Sequence, residues 1–329
     1  MKLRLIAPVL LFVCVDGIAQ TSRLPIIDMH MHVNPLSETP RPACVGSPPP
    51  PWDPIVPFAE FEAALQQNPP CDDPIWSPVT AEEMMERNVA MLEKHNVIAV
   101  LSTGPFVVGP YQEAAPGRIL RGQIVPADPR IPMLRQFHEL MPLDVIGEVT
   151  AQYAGVLPGD DLLEPLWALA EDADIPVGIH IGFGPSGIKY RDEDRRNFRA
   201  QSPLAMEEVL QRHPRIRVYV MHAGYPMIDD MIALLGENPQ VYVDIAAIDW
   251  AIPADEFYWY LERIVRAGFL SRVMFGSDQG DFPEVMERSI ERVQATPFLS
   301  EEQKRDIFYN NAARFLRLSE EVIVRHHEM

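Results

Sequence analysis

Short apolar runs alternate with amphipathic segments along most of the chain. The runs place apolar residues at consecutive positions rather than at every second one, which is typical of parallel strands buried on both faces. Eight such runs predict strands, at 26–32, 97–101, 119–125, 143–149, 175–181, 216–222, 241–247 and 272–278.

Segments with apolar residues at helical spacing separate these strands. Thr80 begins one of them as part of a capping box, and Ser202-Pro203 and Pro226 open two others. A short helix is expected around Tyr111. Further helices are predicted at 131–140, 161–173, 254–267, 284–295 and from a cap at Ser300 to Leu318.

Eight strand–helix units in one chain predict an α/β fold, a (β/α)₈ TIM-like barrel. A doubly wound open sheet is the alternative. That fold would need a glycine-rich phosphate turn after the first strand, where this chain has histidines instead.

A long proline-rich insertion follows the first predicted strand, at 35–78. It contains 13 of the chain's 33 prolines. Because proline lacks an amide donor and fixes φ, we expect neither a helix nor a central strand there. Loops of this length are usually functional, and this one is expected to overhang the carboxyl end of the first strand.

The first 19 residues have the pattern of a secretory signal peptide. Lys2 and Arg4 precede an apolar run at 5–15, and Gly17-Ile18-Ala19 supplies small residues for cleavage. The run is too short to span a membrane. We therefore expect a soluble exported protein, periplasmic or secreted, with one domain at 20–329.

Two cysteines remain after such cleavage, Cys44 and Cys71, both in the proline-rich insertion. An oxidising compartment would favour a disulfide between them, and two unpaired thiols are the alternative.

The chain is strongly acidic, with a formal net charge of −19 over 329 residues. Such a surface repels phosphate backbones and anionic lipid headgroups. We therefore expect a small-molecule substrate, no nucleic acid and no stable membrane insertion once the leader is removed. A homodimer is neither required nor excluded.

Residues of metal-ligand type stand at the carboxyl ends of four predicted strands. They are His30 and His32, His180, His222, and Asp278. The carboxyl ends of barrel strands meet at one face, where the active sites of such barrels lie. Alternation along a strand points His30 and His32 to the same side. Since neutral imidazole is the commonest protein metal ligand, the set predicts a divalent metal site.

Glu148 closes the fourth predicted strand. An unpaired buried carboxylate is costly, which leaves two interpretations. In one, Glu148 is a ligand that bridges two metal ions; in the other, it forms a buried ion pair or orients a metal ligand from behind the site.

The order of these motifs resembles the amidohydrolase superfamily, and in particular its amidohydrolase 2 branch. The matching segments are IIDMHMHV at 26–33, GEV at 147–149, HAGYP at 222–226, FGSDQGDFP at 275–283 and NNAARFLRL at 310–318. The resemblance implies a distorted TIM barrel with one or two divalent ions. Zinc is the first choice and manganese the alternative.

The same resemblance implies roles for individual residues. His30, His32 and His180 would be metal ligands, and Asp278 would bind the metal or act as the base. His222 would bind a second metal or polarise the substrate. Glu148 resembles the bridging position of the superfamily's two-metal deoxyribonucleases, although its surroundings, GEVTAQY, match only in part.

A hydrolytic mechanism follows from these charges. A divalent cation lowers the pKa of bound water, and Asp278 can accept the proton as general base. The hydroxide would attack a carbonyl, with the metal and His222 stabilising the oxyanion. The candidates for binding the substrate are Tyr190, Arg191, Arg195 and Tyr225, since a substrate carboxylate needs a cation. The alternative for the arginines is an exposed loop with internal ion pairs. The alternative for the tyrosines is ordinary packing.

The favoured function is therefore a metal-dependent hydrolase acting on a small carboxylate-bearing ester, lactone or amide. A nonoxidative decarboxylase of an aromatic or unsaturated acid is the first alternative, because the branch also contains such enzymes. Export favours the hydrolase, since the resembling decarboxylases are mostly intracellular. A metal-dependent phosphodiesterase and a noncatalytic binding barrel are further alternatives.

Overall fold

The computed structural model describes residues 23–47, 50, 52–182, 184 and 201–329. The predicted leader and the candidates Tyr190, Arg191 and Arg195 lie outside these residues. The strands of the described chain are β1 (Ile26–Met31), β2 (Pro42–Ala43), β3 (Ile75–Trp76), β4 (Val97–Thr103), β5 (Ile119–Val125), β6 (Val145–Val149), β7 (Val177–His180), β8 (Val218–Met221), β9 (Val241–Asp244) and β10 (Val273–Met274).

Helices separate successive strands. They are α1 (Phe58–Gln67), α2 (Ala81–His95), α3 (Pro105–Ala114), α4 (Ile131–Leu140), α5 (Glu164–Asp172), α6 (Glu207–Arg212), α7 (Ile228–Glu237), α8 (Ile248–Ala251), α9 (Ala254–Arg266), α10 (Val285–Gln294), α11 (Glu301–Arg305), α12 (Asn311–Phe315) and α13 (Glu320–Glu328). A π-helical turn, Asp306–Asn310, joins α11 to α12. Within the described part of the chain, no helix has both the length and the apolar character needed to cross a bilayer.

Eight strands form one parallel sheet in the order β1-β4-β5-β6-β7-β8-β9-β10. Backbone hydrogen bonds then join β1 to the segment after β10, so the sheet closes on itself. Met29 N donates to Phe275 O at 3.0 Å, and Asp278 N donates to His30 O at 2.7 Å. The barrel prediction is confirmed and the open-sheet alternative is wrong.

Burial on both faces explains the continuous apolar runs. Every residue of β1, β4, β6, β7 and β8 is buried. The main hydrophobic cluster packs strand residues such as Val177 and Val243 against helix residues such as Trp167. This rigid wall fixes the strand ends, and with them the polar side chains that follow.

Some strands end earlier than predicted, because side chains replace the ladder hydrogen bonds. β10 ends at Met274 rather than at 278, and Ser277 donates from both its N and its Oγ to the buried carboxylate of Asp28. β9 ends at Asp244 rather than at 247, where Ala246 N donates to the Asp244 carboxylate. The carboxylates of Asp28 and Asp244 therefore shape the carboxyl end of the barrel.

The proline-rich insertion contains a helix, α1, where we expected none. The prediction was wrong because it averaged over the whole insertion, whereas no proline occurs between Pro57 and Pro69. Trp52 packs on Phe58 and Phe61, with ring centroids 5.4 and 6.0 Å apart, which gives the helix an apolar contact. β2 and β3 pair antiparallel beside it.

Two contacts hold the insertion beside the segments that follow β9 and β10. Gly46 N donates to Trp250 O at 2.7 Å. Arg41 forms an ion pair with Asp281 at 2.8 Å. The insertion thus lies on the carboxyl side of the barrel.

Cys44 and Cys71 form a disulfide across the insertion. The cysteines are 27 positions apart, and closing a loop of that length removes entropy from the unfolded chain. Replacing both by serine is expected to lower the free energy of unfolding by about 3 kcal/mol, measured by urea denaturation. An unchanged midpoint, or two thiols that alkylate without reduction, would contradict this pairing.

Candidate metal centre

His30 lies near the end of β1 and His32 directly follows the strand, and both are buried. Their Nε2 atoms lie 2.9 Å apart, so the two rings point to the same side as the strand alternation predicted. The segment after β10 packs directly against them. A Cβ at Gly276 would lie 2.9 Å from the His30 Cβ, so only glycine fits this approach without a shift.

Three of the four histidines donate from Nδ1 to oxygen atoms outside the group of predicted metal ligands. His30 Nδ1 donates to Asp244 Oδ2 at 3.0 Å, His32 Nδ1 to Ser102 O at 2.6 Å, and His222 Nδ1 to Ala246 O at 2.9 Å. A carbonyl or carboxylate oxygen accepts, so the proton sits on Nδ1. In its neutral form each ring would therefore present the lone pair of Nε2, which is how metal-binding histidines are held.

Asp278 lies beside the first two histidines. Its Oδ1 is 3.4 Å from His30 Nε2 and 3.7 Å from His32 Nε2. Its side chain keeps 29% of its exposure, whereas that of His30 keeps none. The three residues offer ligand atoms within 4.8 Å of one another, and form one group that could hold a metal ion.

Glu148 lies among the other histidines. Its Oε1 is 2.5 Å from His180 Nδ1, and its Oε2 is 3.5 Å from His32 Nε2. His222 Nε2 is 3.1 Å from His180 Nδ1. His30, Glu148 and His222 form a second group with ligand atoms within 4.8 Å. The structure thus brings all six predicted centre residues together.

The pKa shifts in this cluster are those of a site that favours a cation. Burial alone would lower the pKa of His30, but the carboxylates of Asp278 and Asp244 outweigh it and raise that pKa to about 10. Burial would raise the pKa of Glu148, but His180 and His32 hold it well below its usual range. A raised histidine pKa beside a carboxylate of lowered pKa indicates that negative charge in the cluster favours a bound positive charge. A divalent ion, which displaces such protons on binding, fits this donor set.

Asp244 is a member of the site that the sequence reasoning missed. It is fully buried, and its second oxygen accepts from His222 N at 2.8 Å. The signal was present, since Asp244 closes the apolar run VYVD in the same way that His180 closes its own strand. Tyr153, after β6, was also missed; its hydroxyl lies 3.0 Å from His180 Nδ1.

Replacing Asp244 by asparagine is expected to weaken metal binding by about 10- to 100-fold, because an amide offers one acceptor for three donors. Competition with a chromophoric chelator measures the affinity. Asp174→Asn is the matched control, since Asp174 pairs with Arg217 and Arg317 away from the histidines and should leave the affinity unchanged. An Asp244 variant with the wild-type affinity would contradict this role.

The fourth substrate-binding candidate, Tyr225, contacts helix α9. Its hydroxyl donates to Glu256 at 3.1 Å, and its ring lies against Tyr260. A role for Tyr225 in binding substrate stays a prediction, as do the roles of Tyr190, Arg191 and Arg195.

Solved structures share the fold of this chain at low sequence identity. A TIM-barrel protein of Bordetella bronchiseptica is 16% identical, with a TM-score of 0.61 over 89% of this chain and 99% of that one. The 5-carboxyvanillate decarboxylase of Sphingomonas paucimobilis is 14% identical, with a TM-score of 0.55 over 90% and 100%. A candidate 2-pyrone-4,6-dicarboxylic acid hydrolase of Pseudomonas putida is 14% identical, with a TM-score of 0.56 over 90% and 98%.

A search of curated proteins finds no match. The model of the amidohydrolase 2 family, described as Amidohydrolase, matches residues 27–318. That match begins at β1, ends beyond α12 and includes every histidine and carboxylate of the candidate centre. The chain therefore belongs to the amidohydrolase 2 family.

Proposed function

We propose that this chain is a metal-dependent hydrolase of a small, carboxylate-bearing ester, lactone or amide. The observation that carries the proposal is the placement of Asp278. Its carboxylate lies 3.4 Å from His30 Nε2 and 3.7 Å from His32 Nε2, and its side chain still retains 29% of its exposure. A group so placed can touch both the metal ligands and an entering water or substrate.

Residues of this chain would themselves bind the ion. His30, His32 and Asp278 would form one position, and Glu148 with His222 would extend it to a second. A divalent cation bound there would supply Lewis-acid chemistry, polarising a carbonyl oxygen and lowering the pKa of water.

Proton transfer falls to Asp278. As a carboxylate it can take a proton from water as general base, and it can return that proton to the leaving group. Glu148 cannot share this task easily, because its side chain is only 9% exposed and both of its oxygens face histidines.

His222 is better suited to bind a cation than to donate a hydrogen bond. Its Nδ1 donates to Ala246 O, so the neutral ring has no proton left on Nε2. Only the imidazolium form could polarise a substrate oxygen through Nε2. This assignment favours the metal-ligand role among the two that the family resemblance implies.

A substrate screen with mass detection tests the proposed reaction. Protein purified without chelator is incubated with carboxylate-bearing esters, lactones and amides, with Asp278→Asn as the inactive control. We expect products that have gained one water molecule, labelled when the reaction runs in isotopic water. Absence of any such product across the panel would count against a hydrolase.

Decarboxylation is the second candidate, because three of the solved structures similar over 90% of this chain are decarboxylases. The same screen, with aromatic and unsaturated acids in the panel, separates the two reactions. A product that has lost carbon dioxide, with no label from the solvent oxygen, would assign the chain to that class.

We also propose that residues 1–19 are an export leader and that 20–329 form the single mature domain. The disulfide between Cys44 and Cys71 supports this, because disulfides persist in oxidising compartments. Amino-terminal sequencing of the mature protein should begin at Gln20. A protein that keeps Met1 and its intracellular location would contradict the proposal.

A further inference from the structure

A deep cleft opens beside His32, between the segment after β1 and the helices α2 and α3. Its volume is about 630 Å³, within the range of small-molecule sites and roughly that of twenty water molecules. The described residues that line it include His32, Met85, Thr103, Phe106, Val107 and Tyr111.

The lining has no Asp, Glu, Lys or Arg among its described residues. That is unusual for a chain with 23% charged residues and a net charge of −19. The hydroxyl of Tyr111 accepts from Asn88 Nδ2 at 3.0 Å, and Thr103 Oγ1 donates to Val33 O at 3.3 Å. The walls therefore offer mainly apolar surface to an occupant.

A methionine and a phenylalanine make this surface adaptable. Met85, on α2, is half-buried, and an unbranched thioether side chain adjusts to ligands of different shape. Phe106 stands at the rim with 91% of its surface exposed. This exposed ring extends the apolar surface of the cleft towards solvent.

The cleft is continuous with the candidate metal centre through His32. The same imidazole whose Nε2 lies 2.9 Å from His30 Nε2 forms part of the cleft wall. A second cavity, of about 600 Å³ near β5 and β6, is lined by Tyr153, whose hydroxyl contacts His180, and by the charged residues Asp128 and Arg130. None of the centre histidines is among its described lining residues. The cleft at His32 has a centre histidine in its wall and no charged residue among its described lining residues, so its occupant would meet both an apolar wall and the candidate centre.

We propose that this cleft binds an extended apolar group of the substrate, an alkyl chain or an aryl ring, while the reacting carbonyl lies at His32 and Asp278. This inference rests on the proposed function and narrows it. The substrate class is an amphiphilic acid derivative with its polar atoms at one end. A wholly polar sugar or dipeptide would leave the cleft walls uncovered.

Binding of linear carboxylates tests the proposal without turnover. Acetate, butanoate, hexanoate and octanoate are titrated calorimetrically into the protein as purified. Burial of each methylene should raise the affinity by about threefold to fourfold until the cleft is full. An affinity that does not depend on chain length would overturn the inference.

Two variants place the effect in this cleft. Val107→Trp adds bulk to a half-buried wall position and should abolish the gain between butanoate and octanoate while leaving acetate unchanged. Glu113→Trp, on an exposed position of α3 that does not line the cleft, is the matched control. If Val107→Trp does not fold, Phe106→Asp at the exposed rim should reduce octanoate binding at least tenfold.

The outcomes separate this inference from the proposed function. If binding depends on chain length but no turnover is found, the inference about the cleft stands and the proposed hydrolase function is rejected. Turnover without length dependence would do the reverse. A dimer that Phe106→Asp dissociates, with no effect of chain length, would show that a second copy occupies the cleft and would overturn the inference.

Discussion

Replacing Asp278 by asparagine is expected to lower kcat by about a thousandfold. Asparagine keeps the shape of the side chain but cannot accept a proton, and a positioned general base contributes about 10²- to 10⁴-fold. Asp278 combines proximity to His30 and His32 with partial exposure, so no other described carboxylate of the cluster can replace it. Steady-state kinetics on the best substrate from the screen measures the loss.

Asp281→Asn is the control for that variant. Asp281 lies in the same segment and pairs with Arg41 at 2.8 Å rather than with a histidine. Its replacement should change kcat by no more than a few fold. Metal content of the Asp278 variant then divides its two roles. Retained metal assigns the loss to proton transfer, and lost metal assigns it to ligation. A variant that keeps wild-type kcat would contradict both.

Replacing His30 by glutamine is expected to lower the metal affinity by more than about 100-fold. His30 belongs to both groups of ligand atoms, so its loss removes a donor from each. Residues that only orient a ligand already contribute about 10- to 100-fold, and a direct ligand should exceed them. Activity should fall with the metal content and recover in part at high metal concentration.

His95→Gln is the matched control for the His30 variant. His95 is also buried, but it lies at the end of α2 near Glu287, at 3.4 Å, and outside the cluster. Its replacement should leave the metal affinity unchanged. Equal metal content in the wild type and the His30 variant would remove His30 from the site.

The position of the site followed from the sequence because a parallel barrel gathers strand ends. His30, His32, His180, His222 and Asp278 are far apart in the chain, and each closes or follows an apolar run. The alternation of side chains along β1 then sufficed to place both imidazoles on one side, as their 2.9 Å separation confirms.

The interactions behind the ligands did not follow from the same pattern. Asp244 closes a strand like the others, but only the structure reveals that its oxygens hold His30 and the backbone of His222. The hydrogen bonds from Ser277 to Asp28 likewise end β10 early. Such contacts depend on three-dimensional neighbours, which a periodicity argument does not contain.

The insertion and the cleft illustrate a second limit. Averaging over the proline-rich segment hid the proline-free interval that forms α1. The cleft takes its walls from β1, α2 and α3 together, and no single run of residues predicts an uncharged cavity. The sequence pattern predicted the strands and helices, whereas the cavities between them are visible only in the folded structure.

The metal content of protein purified without chelators tests the central claim most directly. Elemental analysis should find about one or two equivalents of a divalent metal per chain. Chelation should abolish activity, and adding the metal back should restore it. Full activity in protein that contains no metal would contradict the metal centre and the mechanism built on it.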